Sequence, residues 1–326
     1  MIMTPEFNPD RPADMGPLYR QEAWRRLGAE QFDIVVIGGG VVGVGAALDA
    51  ATRGLRVALV EARDIASGTS SRSSKMFHGG LRYLEQLEFG LVREALRERE
   101  LSLRLLAPHL VKPLPFLYPL TQRVWERPYV AAGIFLYDRM GGAKSVPGQQ
   151  HVTRSGALRV APALKRDSLI GGIRYYDTVV DDARHSLTVA RTAANYGAVI
   201  RTSTQVVGFL RESDRVLGVR VRDTENGEIT EVRGHCVINA AGVWTDEVQA
   251  LSKQRGHFKV RASKGVHIVV PRDRIVSETA IILRTEKSVL FVIPWETHWI
   301  IGTTDTDWNL DLSLIHISEP TRPLYI

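Results

Sequence analysis

The hydrophobic pattern changes period several times along the chain, and each change marks an element. Phe32 to Ile37 (FDIVVI) is a β-branched run, apolar apart from Asp33 near its start, which fits a strand covered on both faces. Three glycines follow, then Val42 to Arg53 with helix-forming alanines, then a second apolar strand from Arg56 to Val60. This order predicts a parallel βαβ unit, because parallel neighbours need a crossover. Residues 1–31 precede it as an N-terminal arm, with a short helix expected around Gln21–Leu27. Leu84, Leu87, Leu91 and Ala95 recur at helical spacing, with Arg93, Glu94, Arg97, Glu98 and Arg104 on the other faces. One long helix or a helix pair is therefore expected over Leu84–Leu106. Pro108, Pro113, Pro115 and Pro119 signal a change of organisation. Asp181 or Asp182 can cap a helix over Ala183–Tyr196, and Val232–Asn239 reads as another strand. Beyond Gly265, short runs (Val266–Val270, Ala280–Leu283, Val289–Ile293, Trp299–Gly302) alternate with polar breaks, which predicts an antiparallel meander.

Composition narrows the class. The chain has 326 residues, 44% hydrophobic and 24% charged, which excludes disordered, collagen-like and coiled-coil readings and suggests about two domains. Its net charge of +6 is a mild excess, as suited to an anionic ligand or an acidic membrane surface as to nucleic acid. No basic stripe with interleaved aromatics is present, which argues against nucleic acid. Cys236 is the single cysteine, so no intramolecular disulfide can form and a reducing, cytoplasmic setting is expected. The first thirty residues carry four prolines and five acidic side chains, unlike a signal peptide. The longest uncharged run, Ile34–Leu48, is shorter than the roughly 20 residues of a spanning helix, so the chain is expected to be soluble or to lie on a membrane. Residues 313–322, SLIHISEPTR, resemble a translated sequencing adapter. Residues 313–326 are accordingly read as a non-native tail and the chain as truncated at its C-terminus.

Gly38-Gly39-Gly40-Val41-Val42-Gly43 satisfies G-x-G-x-x-G between a predicted strand and a predicted helix, the context that gives the pattern meaning. Gly38 permits a tight turn, Gly40 lets a pyrophosphate approach the backbone, and Gly43 allows close helix–strand packing. The helix N-terminus offers free amides to the phosphates. Glu61 ends the second strand 23 residues after Gly38, where a carboxylate accepts from ribose hydroxyls and repels a 2′-phosphate. NAD and FAD share this unit. Two features favour FAD: the hydroxyl-rich stretch with Thr69, Ser70, Ser71, Ser74 and Lys75, able to cradle pyrophosphate and ribityl oxygens, and a second strand ending in Ala241 and Gly242.

Taken in order, several stretches resemble the FAD-dependent glycerol-3-phosphate dehydrogenase family. They are DIVVIGGGVVGVGAALDAATRGLRVALVEARD, TSSRSSKMFHGGLRYLEQLEFGLVREAL, Val180–Arg184, INAAGVW, SKGVHIVVP, FVIPW and IIGTTDTDW. The likeness spans Asp33 to Leu312, and HGGLRYLE is its most specific block. It implies an α/β flavoprotein of the glutathione-reductase and D-amino-acid-oxidase kind, with a Rossmann-like FAD-binding domain (32–115 and 181–255) and a mostly antiparallel substrate domain (116–180 and 256–312). The implied reaction oxidises sn-glycerol 3-phosphate to dihydroxyacetone phosphate, with hydride passing to FAD and electrons to a membrane quinone. Two alternatives are an oxidase that uses oxygen and an FAD-binding fragment without turnover. The resemblance also implies peripheral contact with the cytoplasmic face of the membrane and a homodimer. By the same likeness Arg82 holds the substrate phosphate with Tyr83 beside it, and Gly79 with Gly80 brings backbone to the isoalloxazine near His78 and Lys75. His267 is the implied general base, and Thr304 and Asp305 lie at the substrate or flavin edge.

Overall fold

The structure, a computed structural model, describes residues 15–140, 145–252, 259–285, 289–304 and 306–308, with every side chain among them except that of Arg82. The first half runs α1 (Pro17–Ala29), β1 (Gln31–Ile37), α2 (Val41–Thr52), β2 (Val57–Val60), β3 (Met76–Phe77), α3 (Phe89–Leu101), β4 (Val111–Leu120), α4 (Glu126–Met140), β5 (Gln150–Thr153), α5 (Arg154–Val160) and β6 (Gly171–Val180). The second half runs α6 (Asp182–Asn195), β7 (Val199–Arg201), β8 (Thr204–Glu212), β9 (Arg215–Asp223), β10 (Ile229–Asn239), α7 (Thr245–Ala250), β11 (Ser263–Lys264), β12 (Ile268–Pro271), β13 (Ala280–Arg284), β14 (Val289–Trp295), β15 (His298–Gly302) and β16 (Thr306–Asp307). Among the described residues no helix is long and apolar enough to cross a membrane.

Two compact units divide these elements. The first holds the chain up to Ser73 together with Asp182–Ala262. Its six-stranded sheet has the order β7-β2-β1-β10-β9-β8, parallel from β7 to β10 and antiparallel from there to β8. Period-2 alternation in β1 explains the run Phe32–Ile37. Val35 and Ile37 pack with Leu27 of α1 on one face, while Val36 meets Val44 and Ala47 of α2 on the other. Residues 1–31 were expected to stand apart as an arm, but α1 is part of this core. Its Tyr19 hydroxyl donates to the Ala198 carbonyl at 3.3 Å and accepts from the Ile200 amide at 3.0 Å.

The second unit comprises Ser74–Asp181 and Ser263–Asp307. Its eight-stranded sheet runs β12-β15-β14-β13-β4-β6-β3, with β5 also on β6, and all pairs are antiparallel except β13 with β4. A separate pair joins β11 to β16. The division differs from the expected domains: residues 74–115 belong here, because β3 and β4 both pair with β6. Three prolines lie inside β4 itself. All three stand opposite β6, at Thr178, Tyr176 and Gly172, but the Pro115 carbonyl accepts from Thr279 Oγ1 at 2.8 Å, so this edge of the prolines faces away from β6, toward β13, which pairs only with Phe116 and Leu117.

Two further expectations fail for physical reasons. The helix over Leu84–Leu106 is broken: a short turn spans Leu81–Leu84, α3 begins at Phe89, and Ser102–Leu106 is a π turn. Leu87 adopts a left-handed conformation (φ 61°), which resets the helical phase. Val92, Leu96 and Arg99 become the buried stripe, and Leu87 and Leu91 face solvent. The four C-terminal runs are not a simple meander either. β13, β14 and β15 follow one another by hairpins, but β12 lies beside β15 rather than its sequence neighbour β13.

Candidate functional site

In the first unit, parallel pairing brings the carboxyl ends of β1, β2 and β10 together, the place where open α/β sheets take ligands. Each end leads into a turn of small residues. Gly38 stands at φ 108°, and an added Cβ would lie 2.5 Å from the Ala240 carbonyl oxygen. Glycine is thus required twice over, by conformation and by the approach of the segment after β10. A Cβ at Gly43 would overlap the Gly38 carbonyl oxygen, so the first turn of α2 sits directly on the glycine turn. A Cβ at Gly40 would meet only Ser70 Oγ, at 3.1 Å, because Gly40 borders open space.

That space is a cleft of about 970 Å³, at the upper end of small-molecule sites. Gly38, Gly40, Glu61, Ser70, Ala241 and Gly242 line it, together with Thr69 and Trp244. Ser71 belongs to the same short turn as Thr69 and Ser70, with its hydroxyl 3.5 Å from the Gly68 carbonyl. The Val41 amide, on the first turn of α2, donates to Ser70 Oγ at 2.9 Å. Arg63 lies over the Trp244 ring at 5.3 Å and adds a cation to the rim. Glu61 has a task that the spacing did not reveal: its Oε2 accepts from the Gly39 amide at 2.6 Å and its Oε1 from the Arg63 amide at 2.7 Å. The carboxylate splints the glycine turn, and each oxygen keeps a lone pair for a ribose hydroxyl.

The remaining expected residues belong to the second unit. Gly79 is buried, and its amide donates to Tyr137 Oη at 2.6 Å. That hydroxyl donates in turn to the Asp177 carboxylate at about 2.9 Å, and Arg99 Nη1 pairs with Asp177 Oδ1 at 2.7 Å. Burial raises the Asp177 carboxyl above the usual carboxylate range, with Arg99 opposing it, and burial pushes the Tyr137 phenol well up. A Cβ at Gly79 would crowd Leu96 and Tyr137, and Gly80, at φ 70°, packs beneath the Tyr83 ring. The two glycines therefore serve tight internal packing, besides the approach to a ring that the resemblance implies. His78 is exposed, and its Nδ1 accepts from the Gly80 amide at 3.0 Å.

Sequence reading missed Arg99, Tyr137 and Asp177. Arg99 continues the helical stripe of Val92 and Leu96, and a charge on an apolar stripe was the available signal. Arg82 lies in the Leu81–Leu84 turn, and its side chain is outside the described atoms, as is all of Asp305. Residues 313–322 also lie outside the described residues. His267 is half-buried, with Nε2 2.9 Å from Ser74 Oγ. Burial, and then the Lys75 ammonium, hold its imidazole below the ordinary histidine range. Lys75 Nζ stands over the Trp295 ring at 5.6 Å. Thr304 Oγ1 accepts from the Val266 amide at 3.1 Å, which ties the GTTD segment to the stretch that carries His267.

Comparison with known proteins agrees with this geometry. The profile described as FAD dependent oxidoreductase matches residues 33–323. A glycerol-3-phosphate dehydrogenase of Mycobacterium leprae is 78% identical over 314 residues, which is 96% of this chain and 54% of that protein. The human mitochondrial glycerol-3-phosphate dehydrogenase is 42% identical over 85% of this chain and 40% of its own length. Among solved structures, the glycerol-3-phosphate dehydrogenase from Bacillus halodurans complexed with FAD is 31% identical, with a TM-score of 0.72 over 90% of this chain and 51% of that one. The chain spans about half the length of the curated relatives it matches. With the glycine turn, the cleft and these likenesses together, the chain belongs to the family of FAD-dependent oxidoreductases.

Proposed function

We propose that the cleft of the first unit holds FAD, and that the chain oxidises sn-glycerol 3-phosphate at its secondary carbon to dihydroxyacetone phosphate, electrons passing onward to a quinone. The observation that carries this reading is the open edge of Gly40, bordered by the Ser70 hydroxyl and the first turn of α2, in a chain 78% identical to a glycerol-3-phosphate dehydrogenase. Gly38, Gly40 and the α2 amides would hold the pyrophosphate, and Glu61 the ribose. When bound, the flavin supplies an acceptor for the hydride from the carbinol carbon. The chain's own groups handle the rest. His267, kept neutral by burial and Lys75, takes the proton from the substrate's secondary hydroxyl oxygen. Arg82 offers a bidentate fork to the phosphate, and Tyr83 a hydroxyl beside it. Thr304, whose Oγ1 accepts from the Val266 amide, ties its segment to the stretch that carries His267.

A quinone acceptor calls for membrane contact, and one surface suits it. Phe89, Gly90 and Arg93 of α3 and Leu136, Arg139 and Met140 of α4 line a groove of about 700 Å³. Phe89, Phe135 and Leu136 are exposed, and the Arg139 guanidinium lies over the Phe135 ring at 5.3 Å. Apolar rings rimmed by arginine fit the interface of an anionic bilayer. On this reading the chain works on the cytoplasmic face of the membrane.

The test is reconstitution. The purified chain is incubated with FAD, freed of excess by gel filtration, and supplied with glycerol 3-phosphate and a redox dye, then with a soluble quinone. Retained yellow absorbance that bleaches on addition of substrate is the expected result. A colourless protein after soaking would end the FAD assignment, and a yellow protein that substrate fails to bleach would end the substrate assignment.

A further inference from the structure

The sequence assigns Ser74 to the cofactor cradle, yet its hydroxyl is engaged elsewhere: Oγ lies 2.9 Å from His267 Nε2, and both residues belong to the second unit. Each partner is held from behind. On the serine side, the Val180 amide donates to the Lys75 carbonyl at 2.9 Å, and β3 then pairs with β6, so the backbone that carries Ser74 is fixed to the sheet. On the histidine side, the ring lies against Gly302 of β15, where an added Cβ would stand 2.7 Å from Cδ2 and 2.8 Å from the Val266 carbonyl oxygen. The imidazole is therefore braced on one face and tethered at one nitrogen.

A tethered imidazole has a defined tautomer, because the partner of one nitrogen decides where the single proton of the neutral ring resides. If the serine hydroxyl donated to Nε2, Nδ1 would carry the proton and could not act as a base. If Nε2 donates to Oγ, Nδ1 is left with its lone pair. We propose that Ser74 is a positioning residue for His267: it accepts from Nε2–H, locks the ring against Gly302, and leaves Nδ1 as the nitrogen that receives the substrate's hydroxyl proton. This rests on the reading of His267 as the base, and it reassigns Ser74 from the cofactor to the proton-accepting group. The balance is simple: the substrate oxygen loses its proton to Nδ1, bound flavin would be the acceptor for the carbinol hydride, and no bond to Ser74 forms or breaks.

The experiment uses the whole chain with ¹⁵N-labelled histidine. His267 is assigned among the nine histidines by comparison with His267→Gln. Near pH 8, the ring is expected to show a protonated Nε2 and a bare Nδ1. Ser74→Ala should turn this into a mixture of tautomers, Ser74→Thr should restore the single form, and Gly302→Ala should disturb it with Ser74 intact. FAD retention should stay within about twofold in Ser74→Ala, whereas glycerol 3-phosphate-dependent dye reduction should lose about tenfold in kcat with KM little changed, a fraction of what a general base contributes. A proton on Nδ1 in the parent, a tautomer indifferent to Ser74→Ala, or loss of FAD in that variant would overturn the proposal. Failure of His267→Gln to slow dye reduction would sink the base assignment instead, while the ring signature would still decide whether Ser74 sets the tautomer. A circular-dichroism melt accompanies each variant, and an Ala variant that unfolds is replaced by Ser74→Cys, which keeps the shape and weakens the acceptor.

Discussion

The two units carry their chemistry by opposite means. In the first, the cleft is built around backbone amides and small residues of the segments that follow β1, β2 and β10, with Glu61, Arg63 and Trp244 in its walls. In the second, the residues of interest are side chains from distant segments: Ser74 meets His267, and Tyr137 joins Gly79 to Asp177 and Arg99. A backbone site tolerates changes of side chain wherever no Cβ intrudes, and fails at a glycine. A side-chain site fails wherever one buried partner is lost, because the other is left without compensation.

The largest expected effect breaks the second kind of site. Asp177→Ala leaves Arg99 buried without its carboxylate and Tyr137 without an acceptor. Loss of one member of a buried pair costs about 3–5 kcal/mol, so the second unit should melt on the order of 10 °C lower by calorimetry. The paired replacement Arg99→Met with Asp177→Leu should recover most of that loss. If Asp177→Ala melts like the parent, the network is not a structural keystone.

Gly40→Val tests the other kind. The branched side chain would enter the cleft beside Ser70, so FAD retention should fall by about 10- to 100-fold, the equivalent of roughly 1–3 kcal/mol of overpacking, with the melting temperature nearly unchanged. Gly43→Ala sharpens the contrast, since its methyl group would strike the Gly38 carbonyl and should lower both binding and stability. Equal flavin content in parent and Gly40→Val would remove the glycine turn from the site.

A smaller effect concerns pH. Burial and Lys75 lower the folded-state pKa of His267 below the unfolded value near 6.5. Between these two values the unfolded chain binds the extra proton, so this group's contribution to stability is complete above about pH 6.5 and is lost as pH falls toward the folded pKa. Lys75→Met should move the folded pKa back up and flatten this dependence, as followed by histidine NMR and by melts from pH 5 to 8. No change in the His267 titration would remove Lys75 from its surroundings. The smallest effect is expected at Arg53, whose fork to Asp49 is exposed at the C-terminal end of α2. Arg53→Gln should leave the melting temperature within about one degree of the parent.

These contrasts explain what could be read from the chain beforehand. The βαβ unit and glycine turn were legible because residues adjacent in sequence specify them: an apolar run, a turn of glycines and a helix of alanines. The order of β12 beside β15 was not, since strand neighbours are chosen by packing rather than by sequence succession. Helical phase was misjudged at Leu87 because a left-handed residue in the middle of a plausible stripe leaves no trace in hydrophobic spacing. Ser74 reads as one more hydroxyl in a polar loop, and nothing local reveals a partner 193 positions away. Tyr137, Asp177 and Arg99 lie on three different elements, so their meeting is purely tertiary.

The burial of Tyr137 also gives the molecule an optical gauge. Tyr137 and Tyr175 are both buried, with phenols pushed well above their ordinary value. As alkali is added, the exposed phenols ionise first and absorb in the near ultraviolet. Those two rings stay silent until the sheet around them opens, and their delayed colour dates that opening without any added label.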